Sequence, residues 1–258
     1  MTYPKDLLSS RAVLKPGLYA LIPSTGLVDN VVPGFEKCRL SFLCSHKIGA
    51  SFIQLLGEIQ AGGRADSYGT GEDVEVFIYV LDGEGQLTIT IGRQSEILEP
   101  GGFAFAPPPG VGLSLVNSSK STTRFLIHKQ RHIPHPQPDR KPWAVFGQAG
   151  QIEERPFNGM TNVFIKDFLP TDQAFDLNFH ILSFLPGGSH DFVETHLQEH
   201  GAYIYEGEGL YLLNDDWRPV KKGDFIWMGA FCKQACYAVG RERLSYIYSK
   251  DCNRDAAL

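Results

Sequence analysis

An all-β fold of two tandem barrels is what this sequence of 258 residues predicts, on three observations. Gly and Pro together number 43, about 17% against roughly 12% in average usage, so tight turns are frequent. Apolar or alternating runs of four to six residues follow one another without long helical periodicity. The two halves also resemble each other at an offset of 121–124 residues, which indicates a duplicated domain.

The strands follow in order. Ser51–Leu56 opens the first half. Val76–Leu81 is a continuous apolar run, stopped by the Asp82-Gly83 turn pair. Gln86–Ile91 alternates polar and apolar residues, the pattern of a half-buried strand. Gly102–Ala106 sits between Pro100-Gly101 and the proline run at Pro107–Pro109, and Phe125–His128 closes the half. In the second half come Phe179–Phe184, Ala202–Tyr205, Leu210–Leu213, Asp224–Met228 and Ser245–Tyr248. Pro186-Gly187-Gly188, Glu206-Gly207 and Lys222-Gly223 punctuate them. Short strands between such turns describe barrels or sandwiches.

Tyr79–Gly85 (YVLDGEG) aligns with Tyr203–Gly209 (YIYEGEG) at an offset of 124. Gly102–Ala106 aligns with Gly223–Trp227 at 121. Residues 1–143 are therefore expected to form one barrel, ending in a proline-rich linker at about 131–143, and residues 144–258 the other. The basic side chains of that linker, Arg131, His132 and His135, are expected in solvent.

Bulk properties exclude several classes. A 43% hydrophobic content rules out disorder, and no run of 18 apolar residues offers a membrane span. A net charge of -5 without basic runs argues against nucleic acid as partner. Five cysteines, an odd number, read as reduced thiols. With no targeting segment at the polar start Met1–Asp6, a cytoplasmic protein is expected.

The chemistry concentrates in the second half, in Gly188-x5-Glu194-x-His196-x3-His200-x6-Gly207 and Gly223-x5-Gly229-x-Phe231-x2-Gln234-x3-Ala238. On a strand, Glu194 and His196 would share a face. His200 lies within reach across a turn, and Gln234 on a later strand between Cys232 and Cys236, which read as small core residues. Two imidazoles, a carboxylate and an amide oxygen form an N/O set suited to Mn²⁺, Fe²⁺, Ni²⁺ or Zn²⁺. Tyr246, Tyr248 and Lys250 alternate on one face. His180 reads as a packing or supporting residue, and His190 as a surface or rim residue.

These spacings resemble the two cupin motifs, with Glu194 in place of the first His, His200 in place of the Glu and Gln234 in place of the last His. The permuted set resembles the (S)-ureidoglycine aminohydrolases, two-cupin proteins of allantoin (purine) degradation. Supporting stretches are Glu194–Tyr203, Val220–Asp224, Tyr246–Asp255, Pro33–Glu36 and Leu7–Ala12. The resemblance implies a bicupin of two double-stranded β-helix (jelly-roll) barrels. It implies one Mn²⁺ per chain, held in the C-terminal barrel by Glu194, His196, His200 and Gln234. It places substrate contacts at Glu194, Gln234, Tyr246, Lys250 and Tyr211, with Glu194, Lys250 and Tyr246 catalytic. The implied reaction hydrolyses (S)-ureidoglycine, a small molecule, to (S)-ureidoglycolate and ammonia, in a homo-oligomer. In the first copy Thr70, Glu72, Val76 and Leu113 occupy the ligand positions, so that barrel is expected to be metal-free and structural. Another metal-dependent cupin enzyme, a dioxygenase or isomerase, and a non-catalytic small-molecule-binding bicupin are the alternatives.

Overall fold

The structure is a computed structural model that describes residues 10–83, 86–110 and 112–256. Residues 1–9 and Glu84–Gly85, which carry part of the resemblance and of the repeat, lie outside the described residues. Twenty strands and three short 3₁₀ turns make up the regular structure of the described residues. In chain order the first ten are β1 (Val13–Lys15), β2 (Tyr19–Ile22), β3 (Phe35–Cys44), β4 (Ile53–Tyr68), β5 (Val74–Gly83), β6 (Leu87–Ile91), β7 (Gln94–Leu98), β8 (Gly102–Ala106), β9 (Leu113–Asn117) and β10 (Thr123–Arg131). The second ten are β11 (Val145–Gln148), β12 (Arg155–Pro156), β13 (Val163–Asp167), β14 (Leu177–Phe184), β15 (His200–Glu206), β16 (Glu208–Leu213), β17 (Asp216–Lys221), β18 (Phe225–Met228), β19 (Gln234–Ala238) and β20 (Leu244–Asp251). No helix of the described residues is long and apolar enough to cross a membrane.

The duplication is visible in the pairing. The order β8-β5-β10-β4 in the first half recurs as β18-β15-β20-β14 in the second, and β9-β6-β7 recurs as β19-β16-β17. Each expected run is a strand, usually a longer one. Sheet pairing crosses the expected boundary at 143/144. β2 adds to β18 of the second copy, with Tyr19 opposite Met228, and β11 adds to β8 of the first, with Val145 opposite Phe105. Each copy thus lends a strand to the edge of the other, which covers an otherwise unpaired row of backbone groups.

The copies differ where the site lies. β4 runs unbroken for 16 residues and continues into pairing with β9. Its counterpart β14 stops at Phe184, because Pro186-Gly187-Gly188 turns the chain away. Residues 189–199 then return as an irregular segment, paired with β19 through the bridges Ser189–Tyr237 and Glu194–Gln234. The ladder sets Tyr68 opposite Leu113, where Glu194 stands opposite Gln234, so Tyr68 rather than Thr70 is the structural counterpart of Glu194.

Inside the first barrel, Val76, Ile89, Leu113, Leu115 and Ile127 form a closed aliphatic core. A second, aromatic core joins the two copies. Phe77 of β5 stacks on Phe179 of β14 at 3.8 Å between centroids, and Phe103 of β8 on Phe168 at 4.7 Å. One expectation about the linker is overturned here. His132 is not in solvent: its side chain is 8% exposed and lies between the buried carboxylates of Glu75 and Asp176. Two buried carboxylates need a cationic partner, and the imidazole supplies it.

Candidate metal centre and active site

Five elements converge on one cavity of the second barrel, of about 470 Å³. The irregular segment contributes His190, Glu194 and His196; β15 contributes His200; β16 and β19 contribute Tyr211 and Gln234; β20 contributes Tyr246, Tyr248 and Lys250. All seven residues singled out from the sequence therefore line one space. Glu194 and His196 do so from an irregular stretch and not from the expected strand. Cys236 is buried on β19 and Cys232 in the turn before it, both in the core behind the cavity.

The two imidazoles are the informative pair. His196 Nδ1 donates to the Gln198 carbonyl at 2.9 Å, and His200 Nδ1 to the Ser249 carbonyl at 2.8 Å. A carbonyl only accepts, so each ring carries its proton on Nδ1 and presents a lone pair at Nε2. Those two Nε2 atoms stand 3.3 Å apart. Facing lone pairs repel, and a shared cation relieves the repulsion. Backbone carbonyls that fix the far nitrogen are the usual support of metal-binding imidazoles. Glu194 Oε2 lies 3.8 Å from His196 Nε2, and the Gln234 amide 2.9 Å from it. A half-turn of the amide about its last bond brings Oε1 to the same point. The residues present therefore fit a divalent cation with N/O ligands.

Charges in the cavity are set by burial and neighbours. Burial and the nearby His196 hold His200 neutral, well below its usual range. Burial alone would raise Glu194, but its neighbours His196, His190 and Lys250 outweigh burial and bring it below the usual value, so it is a carboxylate. Burial lifts Tyr211 and Tyr246 well above the usual phenol range, which keeps both protonated. Their hydroxyls are 3.3 Å apart, and Tyr211 OH lies 3.5 Å from Gln234 Oε1. The half-buried Lys250 makes no side-chain hydrogen bond or ion pair among the described residues. An ammonium held so is a ready partner for an anion.

A second group lies between the barrels. Glu75, His132 and Asp176 bring three ligand-type atoms within 4.8 Å of one another. His132 Nδ1 is 2.5 Å from Asp176 Oδ1 and 3.1 Å from Glu75 Oε2. The remaining oxygens accept from Ile133 N–H (2.6 Å) and Gln130 Nε2 (3.0 Å). The imidazole already satisfies both acids, so the group works as a charge clasp between the copies.

No family model matches the chain. Among curated proteins, an (S)-ureidoglycine aminohydrolase from Escherichia coli is 45% identical over 258 residues, covering 99% of this chain and 97% of the relative. The chain belongs to the (S)-ureidoglycine aminohydrolase family. Among solved structures, the E. coli protein Ylba matches this family member with a TM-score of 0.87 at 42% identity, over all of both chains. Oxalate decarboxylase from Bacillus subtilis matches it at 10% identity with a TM-score of 0.66, over 95% of this chain and 79% of the other, and so shares the fold alone. The fold is a bicupin.

Part of the lining of this aminohydrolase-family cavity is not legible in the sequence. Phe157 and Asn158 reach it from the turn before β13, where no motif marks them. Of the two readings of His190, surface or rim, the surface one does not hold: it is 9% exposed and lines the cavity. His180 is buried on β14 opposite Tyr248, with Nδ1 2.6 Å from Asp167, and supports the tyrosine from behind.

Proposed function

We propose that this chain hydrolyses (S)-ureidoglycine to (S)-ureidoglycolate and ammonia, with one Mn²⁺ in the C-terminal barrel. The observation that carries the reading is a pair of neutral imidazoles with facing Nε2 atoms, beside an unpaired ammonium in the same cavity, in a chain of this family. In the reaction the bond from the α-carbon to the amine breaks and a bond to a water oxygen forms; the water proton leaves with the ammonia.

Glu194, His196, His200 and Gln234 would hold the cation, which when bound supplies Lewis acidity and a template for the substrate. The chain's own groups do the rest. Lys250 Nζ pairs with the substrate carboxylate. The Tyr246 hydroxyl, kept protonated by burial, donates to the substrate. Glu194 Oε1 holds the proton in transit from water to the departing amine. Anchoring one end of so small a molecule fixes which face of the α-carbon meets water.

The outward strands β16 and β19 expose Leu210 and Tyr237, and Val239 just beyond β19 is exposed too, which supports association of copies into a homo-oligomer. All five cysteines are unpaired, as a reducing compartment such as the cytoplasm keeps them.

The test is ammonia release from freshly generated ureidoglycine, with oxygen uptake followed in parallel. The reading expects release above the spontaneous rate, lost on chelation, restored by Mn²⁺ and without oxygen uptake. Oxygen consumption would favour the dioxygenase alternative, and no release above background would sink the reading.

A further inference from the structure

His190 is left over by the mechanism above, and its hydrogen bonding fixes what it can do. The backbone N–H of Cys236 on β19 donates to His190 Nδ1 at 3.0 Å. A backbone N–H only donates, so Nδ1 carries the lone pair and the ring proton sits on Nε2. Burial, the largest effect, lowers the imidazole below its usual range and keeps it neutral, against the pull of Glu194 and Asp191. The ring is wedged edge-on against Phe184 at 5.0 Å and against Phe157 at 6.0 Å between centroids. Nε2–H has no partner among the described residues, and the side chain lines the cavity. The result is a neutral donor, locked in tautomer and orientation, offered to whatever enters.

We propose that His190 is a specificity-determining residue whose Nε2–H hydrogen-bonds the ureido carbonyl oxygen of the substrate. The proposal rests on the reading of the function given above, since it names which substrate atom this corner receives. Two acceptors compete for the donor, the carboxylate and the ureido carbonyl. Lys250 offers a full positive charge elsewhere in the cavity, near the far end of β14, opposite Asn178, whereas His190 packs on Phe184 at the other end of that strand. A carboxylate moved into the phenylalanine-lined corner would lose hydration for one neutral hydrogen bond, so it goes to the ammonium. The carbonyl is neutral, and a neutral donor among aromatic rings suits it. A site built to hydrogen-bond a substrate group also rejects analogues lacking that group, because its own polar atom is then left unpaired.

Two substitutions separate the two nitrogens of the ring. In His190→Asn, the amide oxygen can stand where Nδ1 stood and still accept from Cys236, but no donor reaches the Nε2 position. In His190→Gln, the longer side chain returns a donor near the Nε2 position and gives up the bond to Cys236. The probes are ureidoacetate, which keeps the carboxylate and the carbonyl, and guanidinoacetate, in which an amidinium replaces the carbonyl. Calorimetric titration of the Mn²⁺-loaded protein gives the ratio of the two affinities. The wild type is expected to prefer ureidoacetate by at least about tenfold, the size of one hydrogen bond of about 1.4 kcal/mol. His190→Asn is expected to lose that preference with bound metal unchanged, and His190→Gln to keep most of it. A preference retained in His190→Asn overturns the proposal, and so does its loss in both variants, which is what a purely structural role gives. If the wild type releases ammonia but shows no preference, the proposal alone falls. If it neither binds ureidoacetate nor releases ammonia, the functional reading falls with it.

Discussion

Single residues carry the chemistry through what their second atoms touch. Four of them were legible from spacing, because Glu194, His196, His200 and Gln234 keep the register of a two-part motif whatever the side chains are. What the spacing does not encode is the tautomer. That depends on the carbonyls of Gln198 and Ser249, and for His190 on the N–H of Cys236, groups every residue owns. The sequence therefore leaves His190 between a surface and a rim role, and its burial depends on Phe157 and Phe184, 33 and 6 residues away in the chain. Lys250 shows the converse. Strand alternation already pointed it along with Tyr246 and Tyr248, and the structure adds that its ammonium has no side-chain partner among the described residues. Lys250→Met removes the charge and keeps the apolar stem. We expect KM for ureidoglycine to rise at least about tenfold, with bound metal unchanged, when steady-state kinetics and metal content are compared with the wild type. An unchanged KM would remove Lys250 from the carboxylate site.

At the scale of elements, strand existence was readable and strand length was not. Of Ser51–Leu56, the part from Ile53 starts a strand that reaches Tyr68, because its later residues satisfy backbone groups of β3 and β9 rather than following a hydrophobic period. The strands β3, β9 and β13 went unmarked for the same reason. The turn glycines were readable, and Gly207 is where the residue type matters most. It joins β15 to β16 with a φ of +73°, and a Cβ there would collide with the Arg243 carbonyl oxygen. Gly207→Ala is expected to cost about 1–2 kcal/mol from the left-handed backbone alone, and more if the collision is not relaxed. Chemical denaturation measures it; a cost under a few tenths of a kcal/mol would mean that the turn readjusts freely. The break at Pro186–Gly188 matters more for function. It frees the segment that carries His190, Glu194 and His196, whereas the unbroken β4 holds the matching stretch of the first copy in the sheet.

The whole molecule is two copies made unequal, joined by an aromatic core, exchanged edge strands and a buried clasp. Repetition was visible in the sequence; the exchange was not, since nothing local to Tyr19–Ile22 says that its partner is β18, two hundred residues on. The clasp was also hidden, because a histidine in a proline-rich stretch carries no mark of its two buried acids. For His132, burial opposes the charge, but the hydrogen bonds and charges of Asp176 and Glu75 prevail and raise it to about 9. Burial likewise lifts Glu75 to about 7, and Asp251, a neighbour linked through Gln130, to about 7. A raised imidazole stabilises fully below its unfolded value of about 6.5 and ceases to do so as pH climbs through about 9. His132→Gln is therefore expected to lose about 3 kcal/mol near pH 6, the scale for breaking a buried ion pair, and much less near pH 10. Paired melts of wild type and variant across that range check it, and a difference that does not shrink with pH would contradict the clasp.

A second barrel that releases ammonia from ureidoglycine and fixes the face that water attacks leaves its record in the product. The most direct measurement is timed NMR of the product from enzymatically generated ureidoglycine, with chiral analysis, using the Mn²⁺-loaded protein. Ureidoglycolate and ammonia are expected in equal amounts, formed faster than in the spontaneous reaction, with the (S) product in large excess. A racemic product at the spontaneous rate would contradict it.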